Sequence, residues 1–209
     1  MTAKQKGKRK KFYITTAIAY VNAPPHIGFA LESVQADAIA RFKRSAGYDV
    51  HFLTGTDEHG DKIARAAREA GRTPRAFANA MSVHFKKLKR LLDLSWDDFI
   101  RTSETKRHYP GALALWRELE RSGALYRKRY RGLYCVGCEK FITEKELVGG
   151  LCPYHQKEPE VFEEDNFFFR LSRYAKRLEK AIASGKYRVA PESRKNEVLS
   201  FIRSGLEDV

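Results

Sequence analysis

The chain has 209 residues, of which 43% are hydrophobic, 12% aromatic and 32% charged. This composition is typical of a folded globular protein with one large or two small domains, and it excludes collagen-like and disordered chains. Forty Lys and Arg residues against 26 Asp and Glu residues give a formal net charge of +14, which favours phosphate-rich partners, above all nucleic acid.

The first part of the chain alternates strand and helix patterns. A basic tail over residues 1–11 precedes a predicted strand over residues 12–19, and a turn with two prolines leads into a helix. The helix is indicated by five apolar residues that fall on one face, namely Ile27, Leu31, Val34, Ala38 and Phe42. Gly47 ends the helix, and residues 50–53 predict a second buried strand that runs towards Asp57. Two short strands joined by a helix predict a parallel βαβ unit.

Further helices are predicted over residues 61–70 and 73–92, where Thr73 is a suitable N-cap. Another helix is predicted over residues 103–122, with a kink or restart at Pro110.

After Gly123 the pattern changes to that of a small module. Residues 125–134 alternate like a strand, and residues 167–169 predict another strand. Helices are predicted over residues 172–183 and 190–203. We expect this module to be stabilised by something other than a large core.

Four metal-ligating side chains lie in this module. Cys135 and Cys138 are separated by two residues, 13 residues follow, and Cys152 and His155 are again separated by two residues. Zinc prefers thiolate and imidazole ligands at this spacing, and four protein ligands leave no open position for catalysis. We therefore expect one structural Zn²⁺ per chain. The alternative is a set of buried cysteines beside an ordinary surface histidine.

Cysteine usage also indicates the compartment. Three cysteines, two of them in a Cys-x-x-Cys pair, suit a reducing environment better than a disulfide framework. No run approaches the roughly 18 apolar residues of a membrane-spanning helix. Thr15 and Thr16 interrupt the apolar run near the start, which argues against a secretory signal. We expect a cytoplasmic protein without a membrane partner.

A candidate anion site lies at the start of the first predicted helix. The sequence has neither a G-x-G-x-x-G fingerprint nor a P-loop, but His26 and Gly28 stand where backbone amides and the helix dipole favour a phosphate. Asp57 ends the neighbouring parallel strand, at the edge where open α/β sheets bind ligands, and could hold a substrate ammonium. The alternatives are a capping role for His26 and loop or capping roles for Asp57 and Glu58.

Three blocks of residues resemble class I aminoacyl-tRNA synthetases, specifically the amino-terminal part of the methionyl-tRNA synthetases. They are YVNAPPHIG over residues 20–28, FLTGTDEHG over residues 52–60, and residues 133–155 with LYCVGCE, TEKEL and GLCP-x-H. The likeness covers nearly the whole chain after residue 11. The first block is shared by several class I synthetases, whereas the other two together are specific for the methionine enzymes.

This resemblance implies an α/β fold, namely an incomplete half of a Rossmann-type parallel sheet with an inserted connective-peptide module that carries the zinc knuckle. The implied divisions are a tail over residues 1–11, the first half of the catalytic domain over residues 12–115 and the insertion over residues 116–209. The implied reaction is activation of methionine by ATP, with Mg²⁺, to methionyl-adenylate, followed by transfer to tRNA. The implied methionine-binding residues are Ala17, Ile18, Tyr20 and Asp57, and the implied ATP-binding residues are Asn22, Gly28 and His26, the last also catalytic.

The sequence departs from the family pattern in two ways. Phe29 replaces the usual second histidine of the signature, and one lost phosphate donor can cost about a hundred- to a thousandfold in rate. Nothing matches the family's Lys-Met-Ser-Lys-Ser loop, the second half of the nucleotide fold or the anticodon-binding domain. A half-sheet would expose an edge and an apolar face, so we expect the isolated chain to associate and to have feeble or no activity.

A different class of function also remains open. Basic clusters over residues 86–90, 127–131 and 170–180 could contact phosphates in a non-catalytic, zinc-stapled RNA-binding protein, or simply solvate exposed faces.

Overall fold

The structure is a computed structural model that describes residues 9–138 and 140–209. The chain divides into two compact units, Met1–Leu113 and Ala114–Val209. The predicted basic tail lies outside the described residues except for its last three positions.

A parallel sheet organises the first unit. Its strands are β1 (Lys11–Thr15), β2 (Ala19–Tyr20), β3 (Asp49–Asp57) and β4 (Asp98–Arg101). Strand β3 is central, because it pairs in parallel with β1 and β2 along one side and with β4 along the other. The predicted parallel arrangement of the first two long strands is confirmed.

The predicted strand over residues 12–19 is broken into β1 and β2. Thr16 turns its hydroxyl to the Thr54 hydroxyl at 2.7 Å, and the Ala17 N–H donates to Glu32 Oε1 at 2.6 Å rather than to β3. These polar contacts interrupt the ladder, and pairing resumes at Ala19, opposite Thr56. The break places the end of β2 beside the end of β3.

Helices α1 (Ile27–Ser45), α2 (Asp61–Glu69) and α3 (Pro74–Leu91) confirm the predicted helices of this unit. Helix α4 spans Tyr109–Arg121 and is therefore shorter than the predicted helix over residues 103–122. Pro110 lies in its first turn, where a missing N–H costs nothing, so this proline starts the helix rather than kinking it.

The apolar face that identifies α1 in the sequence is not the face that the structure buries. Ile27 is 88% exposed and Phe42 is 66% exposed, whereas Phe29, Ala36 and Ala40 face the core. All five residues of the apolar face are exposed, namely Ile27, Leu31, Val34, Ala38 and Phe42. Periodicity locates an apolar stripe on a helix but does not show which side of the helix packs against the rest of the protein. The buried face of α1 includes the polar residues Ser33 and Asp37, so hydrophobicity alone does not identify it.

The buried carboxylate of Asp37 is compatible with the core because its oxygens are satisfied. The Ser95 N–H and hydroxyl both donate to Oδ1 at 2.6 Å, and Arg41 Nε donates to Oδ2 at 2.6 Å. Burial raises the pKa of Asp37, but the hydrogen bonds from Ser95 and Arg41 outweigh it and leave the pKa below its ordinary value.

Apolar packing between α1, α3 and the sheet forms the core of the first unit. Phe52 and Phe85 are almost fully buried, and the Phe29 ring meets the Phe85 ring edge-on at a centroid distance of 5.3 Å. Gly55 lies where β3 approaches β4 so closely that a Cβ would collide with the backbone of Ile100. A glycine is therefore required at this position of the sheet.

The second unit is built around an antiparallel sheet. Strand β5 (Leu125–Cys135) pairs with β6 (Lys140–Ile142) and with β7 (Glu160–Phe169), which confirms strands at both predicted places. In the basic cluster over residues 127–131, the cross-strand ion pairs Arg127–Asp165 and Arg129–Glu163 compensate two of the charges. The positive charge of this cluster is therefore partly neutralised.

Helices α5 (Ala175–Ala183) and α6 (Glu192–Arg203) follow, close to the predicted bounds. They enclose a small core of Ile182, Leu199 and Ile202. None of the described helices combines the length and apolar character needed to cross a bilayer.

Candidate functional site

The ends of β2 and β3 and the start of α1 form a candidate site at the carboxyl edge of the parallel sheet. Tyr20 lies directly opposite Asp57 in the strand register. Ala17, Ile18 and Tyr20 are exposed. The structure thus brings the four predicted methionine-binding residues to one edge, in the position where α/β sheets hold ligands.

At this edge, the Asp57 carboxylate accepts hydrogen bonds through one of its two oxygens. Its Oδ1 accepts from the Thr102 hydroxyl at 3.3 Å and from the His59 N–H at 3.4 Å. Its Oδ2 accepts no hydrogen bond from the described residues, and the side chain is only half-buried. A carboxylate held through one oxygen leaves the other available to a cationic ligand group.

His26 is the N-cap of α1. Its Nδ1 accepts from the Gly28 N–H at 3.0 Å, so the capping role considered from the sequence is realised. A Cβ at Gly28 would lie 2.8 Å from the imidazole, which explains why a glycine follows at this spacing. The ring remains exposed beside the helix amides, with its Nε2 pointing away from the cap bond, and Asn22 is exposed in the preceding turn.

Phe29 does not face this edge. It is only 5% exposed and packs on Phe85 in the core. The position of the usual second histidine is therefore occupied by a residue with a packing role.

A buried ion pair beneath the site was missed by sequence reasoning, which treated Glu58 as a loop acid. The Glu58 side chain is fully buried, and Arg101 donates to its two oxygens at 2.6 and 2.8 Å. The hydroxyls of Thr56 and Ser103 donate to it as well. The available signal was an arginine at the end of the short apolar strand β4, where a partly buried charge needs a partner.

The pKa of Glu58 reflects two opposing effects. Burial raises the pKa, but the hydrogen bonds from Arg101, Ser103 and Thr56, together with the Arg101 charge, lower it below its ordinary value of 4.5. Glu58 is therefore ionised at neutral pH.

The second unit brings the four predicted metal ligands together. Their donor atoms all lie within 4.8 Å of one another. The His155 Nδ1 lies 3.8, 3.3 and 3.9 Å from the sulfurs of Cys135, Cys138 and Cys152, and the last two sulfurs are 3.6 Å apart. Tetrahedral zinc with bonds of about 2.3 Å separates its sulfur ligands by about 3.8 Å. The donor set fits such an ion.

The pKa values of the clustered thiols are also consistent with a bound cation. Desolvation and the neighbouring cysteines raise the pKa of Cys138 to about 11. For Cys152, desolvation is outweighed by hydrogen bonds from His155, and its pKa falls to about 6. The protein alone does not favour three thiolates here, whereas a divalent cation would compensate their charge.

Gly137 shapes this cluster although it supplies no ligand. The His155 ring packs against it so closely that a Cβ would collide with the ring carbons. The Cys138 N–H meanwhile donates to the Cys135 sulfur at 3.4 Å, which closes the tight turn.

We expect Gly137→Ala to weaken zinc binding by about ten- to a hundredfold, because substitutions of residues that orient a metal ligand without binding the metal have effects of this size. The measurement is a competition titration with a chromophoric chelator. Val136→Ala, in the same turn, is the matched control and should retain normal affinity. Unchanged affinity in Gly137→Ala would show that the turn has room for the methyl group.

Comparisons with known proteins give consistent results. The profile of a family described as tRNA synthetases class I (M) matches residues 12–160. A methionine–tRNA ligase of Caldanaerobacter subterraneus is 45% identical over 201 residues, which is 96% of this chain. The chloroplastic/mitochondrial methionine–tRNA ligase of Arabidopsis thaliana is 46% identical over 198 residues, or 94% of this chain.

A solved structure is equally similar. The Mycobacterium tuberculosis methionyl-tRNA synthetase in complex with methionyl-adenylate has a TM-score of 0.90 and 45% identity over 96% of this chain. The chain covers 40% of that structure. It spans about a third of the curated relatives, namely 31% of the Caldanaerobacter protein and 32% of the Arabidopsis protein.

Proposed function

The chain belongs to the class I tRNA synthetases of the methionine group, and on this premise we propose that it forms the methionine-activating part of a methionine–tRNA ligase. The substrates are methionine, ATP with Mg²⁺, and tRNA. Methionine is converted to methionyl-adenylate and then transferred to tRNA. The observation that carries the proposal is the exposed edge at which Tyr20 lies opposite Asp57.

Asp57 binds the ammonium group of methionine through its Oδ2, the oxygen without a partner among the described residues. Ala17, Ile18 and Tyr20 line the same edge and contact the amino acid. An ionised carboxylate beside an ammonium gives a charge-assisted hydrogen bond, which orients the methionine carboxylate for attack on ATP.

The ATP phosphates bind at the start of α1. The positive end of the helix dipole lies there, and the exposed His26 ring, whose Nδ1 accepts from the Gly28 N–H, can donate to a phosphate through Nε2. Asn22 contributes a side-chain amide from the turn before the helix. Binding at this place stabilises the charge that develops on the phosphates, which is the main requirement of adenylate formation.

Zinc occupies the Cys135, Cys138, Cys152 and His155 cluster as a structural ion. We place this cluster in a connective-peptide insertion over residues 116–209, after the first half of the catalytic domain over residues 12–115. The three reduced cysteines support a cytoplasmic location. The isolated chain is expected to show feeble activity, since matches to the remaining family segments are absent from its sequence.

The test is binding of a non-hydrolysable methionyl-adenylate analogue, followed by thermal shift. At a concentration of one hundred times its dissociation constant, the analogue should stabilise the protein by about 2.7 kcal/mol. Asp57→Asn should lose most of this shift, and His26→Ala should lose part of it. Asp49→Asn, at the opposite end of the same strand, is the matched control and should behave like wild type.

Two outcomes would contradict the proposal. One is absence of any shift with the wild-type chain, which would favour the non-catalytic RNA-binding alternative. The other is an equal shift in Asp57→Asn and Asp49→Asn, which would place the analogue elsewhere.

A further inference from the structure

A polar cavity of about 400 Å³ lies in the first unit, between the start of α3 and the segment after β4. The residues that matter for its chemistry are Arg75, Asn79, Arg101, Ser103, Lys106 and Arg107. The remaining lining residues, Glu104 and Thr105, are polar as well. Every described lining residue carries a polar or charged side chain, which suits a polar or anionic ligand.

The cavity carries a small excess of positive charge, because its four cations (Arg75, Arg101, Lys106 and Arg107) face three carboxylates (Glu58, Asp98 and Glu104). Arg107 is neutralised by Asp98, to which it donates at 2.6 and 2.8 Å, and by Glu104. Arg75 and Lys106 are exposed and form no ion pair or side-chain hydrogen bond with any residue that the structure describes. Two cations therefore face one cavity without a carboxylate of their own.

Arg101 supplies a preorganised donor at the cavity floor. Its Nε and Nη2 are held by Glu58, and Nη2 also donates to Asn79 Oδ1 at 2.6 Å. Its Nη1 group has no hydrogen-bond acceptor among the described residues. Because the guanidinium is already fixed, an anion that bound Nη1 would not have to order it.

Helix α3 adds a weaker contribution of the same sign. It has 18 residues and is capped by Thr73, and Arg75 lies in its first turn. The positive end of its dipole is directed to the region that Arg75 and Lys106 share.

The cavity adjoins the candidate methionine site. The Thr102 hydroxyl donates to Asp57 Oδ1 at 3.3 Å, and the next residue along the chain, Ser103, lines the cavity. A ligand in the cavity would therefore lie close to the Asp57 carboxylate, which is proposed to hold the amino acid.

We propose that this cavity binds a phosphodiester group in the single-stranded 3′ end of the RNA substrate. The inference rests on the proposed function for the identity of the partner. Two cations without an ion-pair partner and the two remaining N–H groups of the fixed Arg101 guanidinium match the charge and the hydrogen-bond acceptors of a phosphate. Contacts of this kind position a strand without reading its sequence.

The experiment compares two double variants that remove the same charge. Arg75→Ala/Lys106→Ala removes the two cations of the cavity that have no ion-pair partner, and Lys10→Ala/Arg68→Ala removes one exposed lysine and one exposed arginine elsewhere in the unit. The probe is a fluorescein-labelled RNA hairpin with a four-nucleotide 3′ overhang, and the readout is anisotropy over a salt series.

We expect Arg75→Ala/Lys106→Ala to bind the overhang hairpin about tenfold more weakly than the control double variant. The slope of log K against log salt should fall in magnitude by about 1.4, or about 0.7 for each of two lost single-strand phosphate contacts. A blunt hairpin should bind both double variants equally. Equal losses for the overhang hairpin in the two double variants would overturn the proposal.

Two further binding measurements show whether the phosphate belongs to RNA or to a free phosphate compound, and whether the methionine site is assigned correctly. If ATP or inorganic phosphate binding depends on Arg75 and Lys106 while overhang binding does not, the cavity serves a free phosphate and the proposal fails. The adenylate analogue should still stabilise Arg75→Ala/Lys106→Ala. If the analogue fails to bind wild type but the overhang difference persists, the methionine assignment fails and the RNA contact stands.

Discussion

Cys152→Ala should lose the structural zinc and, with it, the folded state of the segment around the metal cluster. Among the described residues, the apolar core there is very small, with Cys135, Ile142 and Cys152 buried and Leu133, Cys138 and Leu147 partly buried. Such a core cannot offset the conformational entropy of ordering the chain. Structural zinc contributes apparent binding free energies of about 10–16 kcal/mol in zinc-finger peptides, so its loss should unfold the segment rather than loosen it.

Two measurements check this result. Metal analysis should give about one zinc per chain in wild type and almost none in the variant. Hydrogen exchange should show lost protection across residues 133–157, while β3 in the other unit stays protected. Tyr154→Ala is the matched control, because Tyr154 is 78% exposed and stands next to a ligand. Full metal content in Cys152→Ala, or normal protection without metal, would refute a structural zinc site.

Glu58→Gln should destabilise the first unit by about 3 kcal/mol, the lower end of the range for breaking a buried ion pair. The substitution keeps the shape but leaves the largely buried Arg101 without its counter-charge. Urea unfolding at pH 7 measures the effect. Glu69→Gln, at an exposed position in α2, should change stability by less than about 0.5 kcal/mol.

The pH dependence of this difference has a definite sign. The pKa of Glu58 in the folded protein lies below its ordinary value of 4.5, so the carboxylate stabilises the fold fully above pH 4.5. That stabilisation is lost as the pH falls through the folded pKa. The gap between wild type and Glu58→Gln should therefore narrow below pH 4.5. A gap that stayed constant down to acid unfolding would show that the charge of Glu58 is not the source of the effect.

A double variant separates the ion pair from general packing. Glu58→Gln/Arg101→Met removes both charges, and its loss of stability should be smaller than the sum of the two single losses. Additive losses would mean that Glu58 and Arg101 act independently.

Local patterns were sufficient for several features. The spacing of Cys135, Cys138, Cys152 and His155 predicted a cluster that the structure brings within 4.8 Å, because paired ligands in tight turns are local geometry. The parallel pairing of β1 with β3 also followed from sequence, since two short strands joined by a helix have few alternatives.

Other features depend on contacts between residues far apart in the chain. Periodicity identified α1 and its apolar stripe but not which side of the helix is buried, because the partner of each helix face is not encoded in the helix itself. Arg101 meets Glu58 only when β4 aligns with β3, and the tolerance of Asp37 in the core depends on Ser95 as well as on the nearby Arg41.

The amino-acid order therefore specified the family, the strand and helix types and the metal ligands, all of which rest on short-range spacing. The three-dimensional packing decided which helix face is covered, that Phe29 serves the core, and that Arg75 and Lys106 share a cavity beside Asp57. The physical reason is that burial and charge compensation are properties of pairs. A charge or an apolar side chain acquires its role only when the fold sets its distant partner against it.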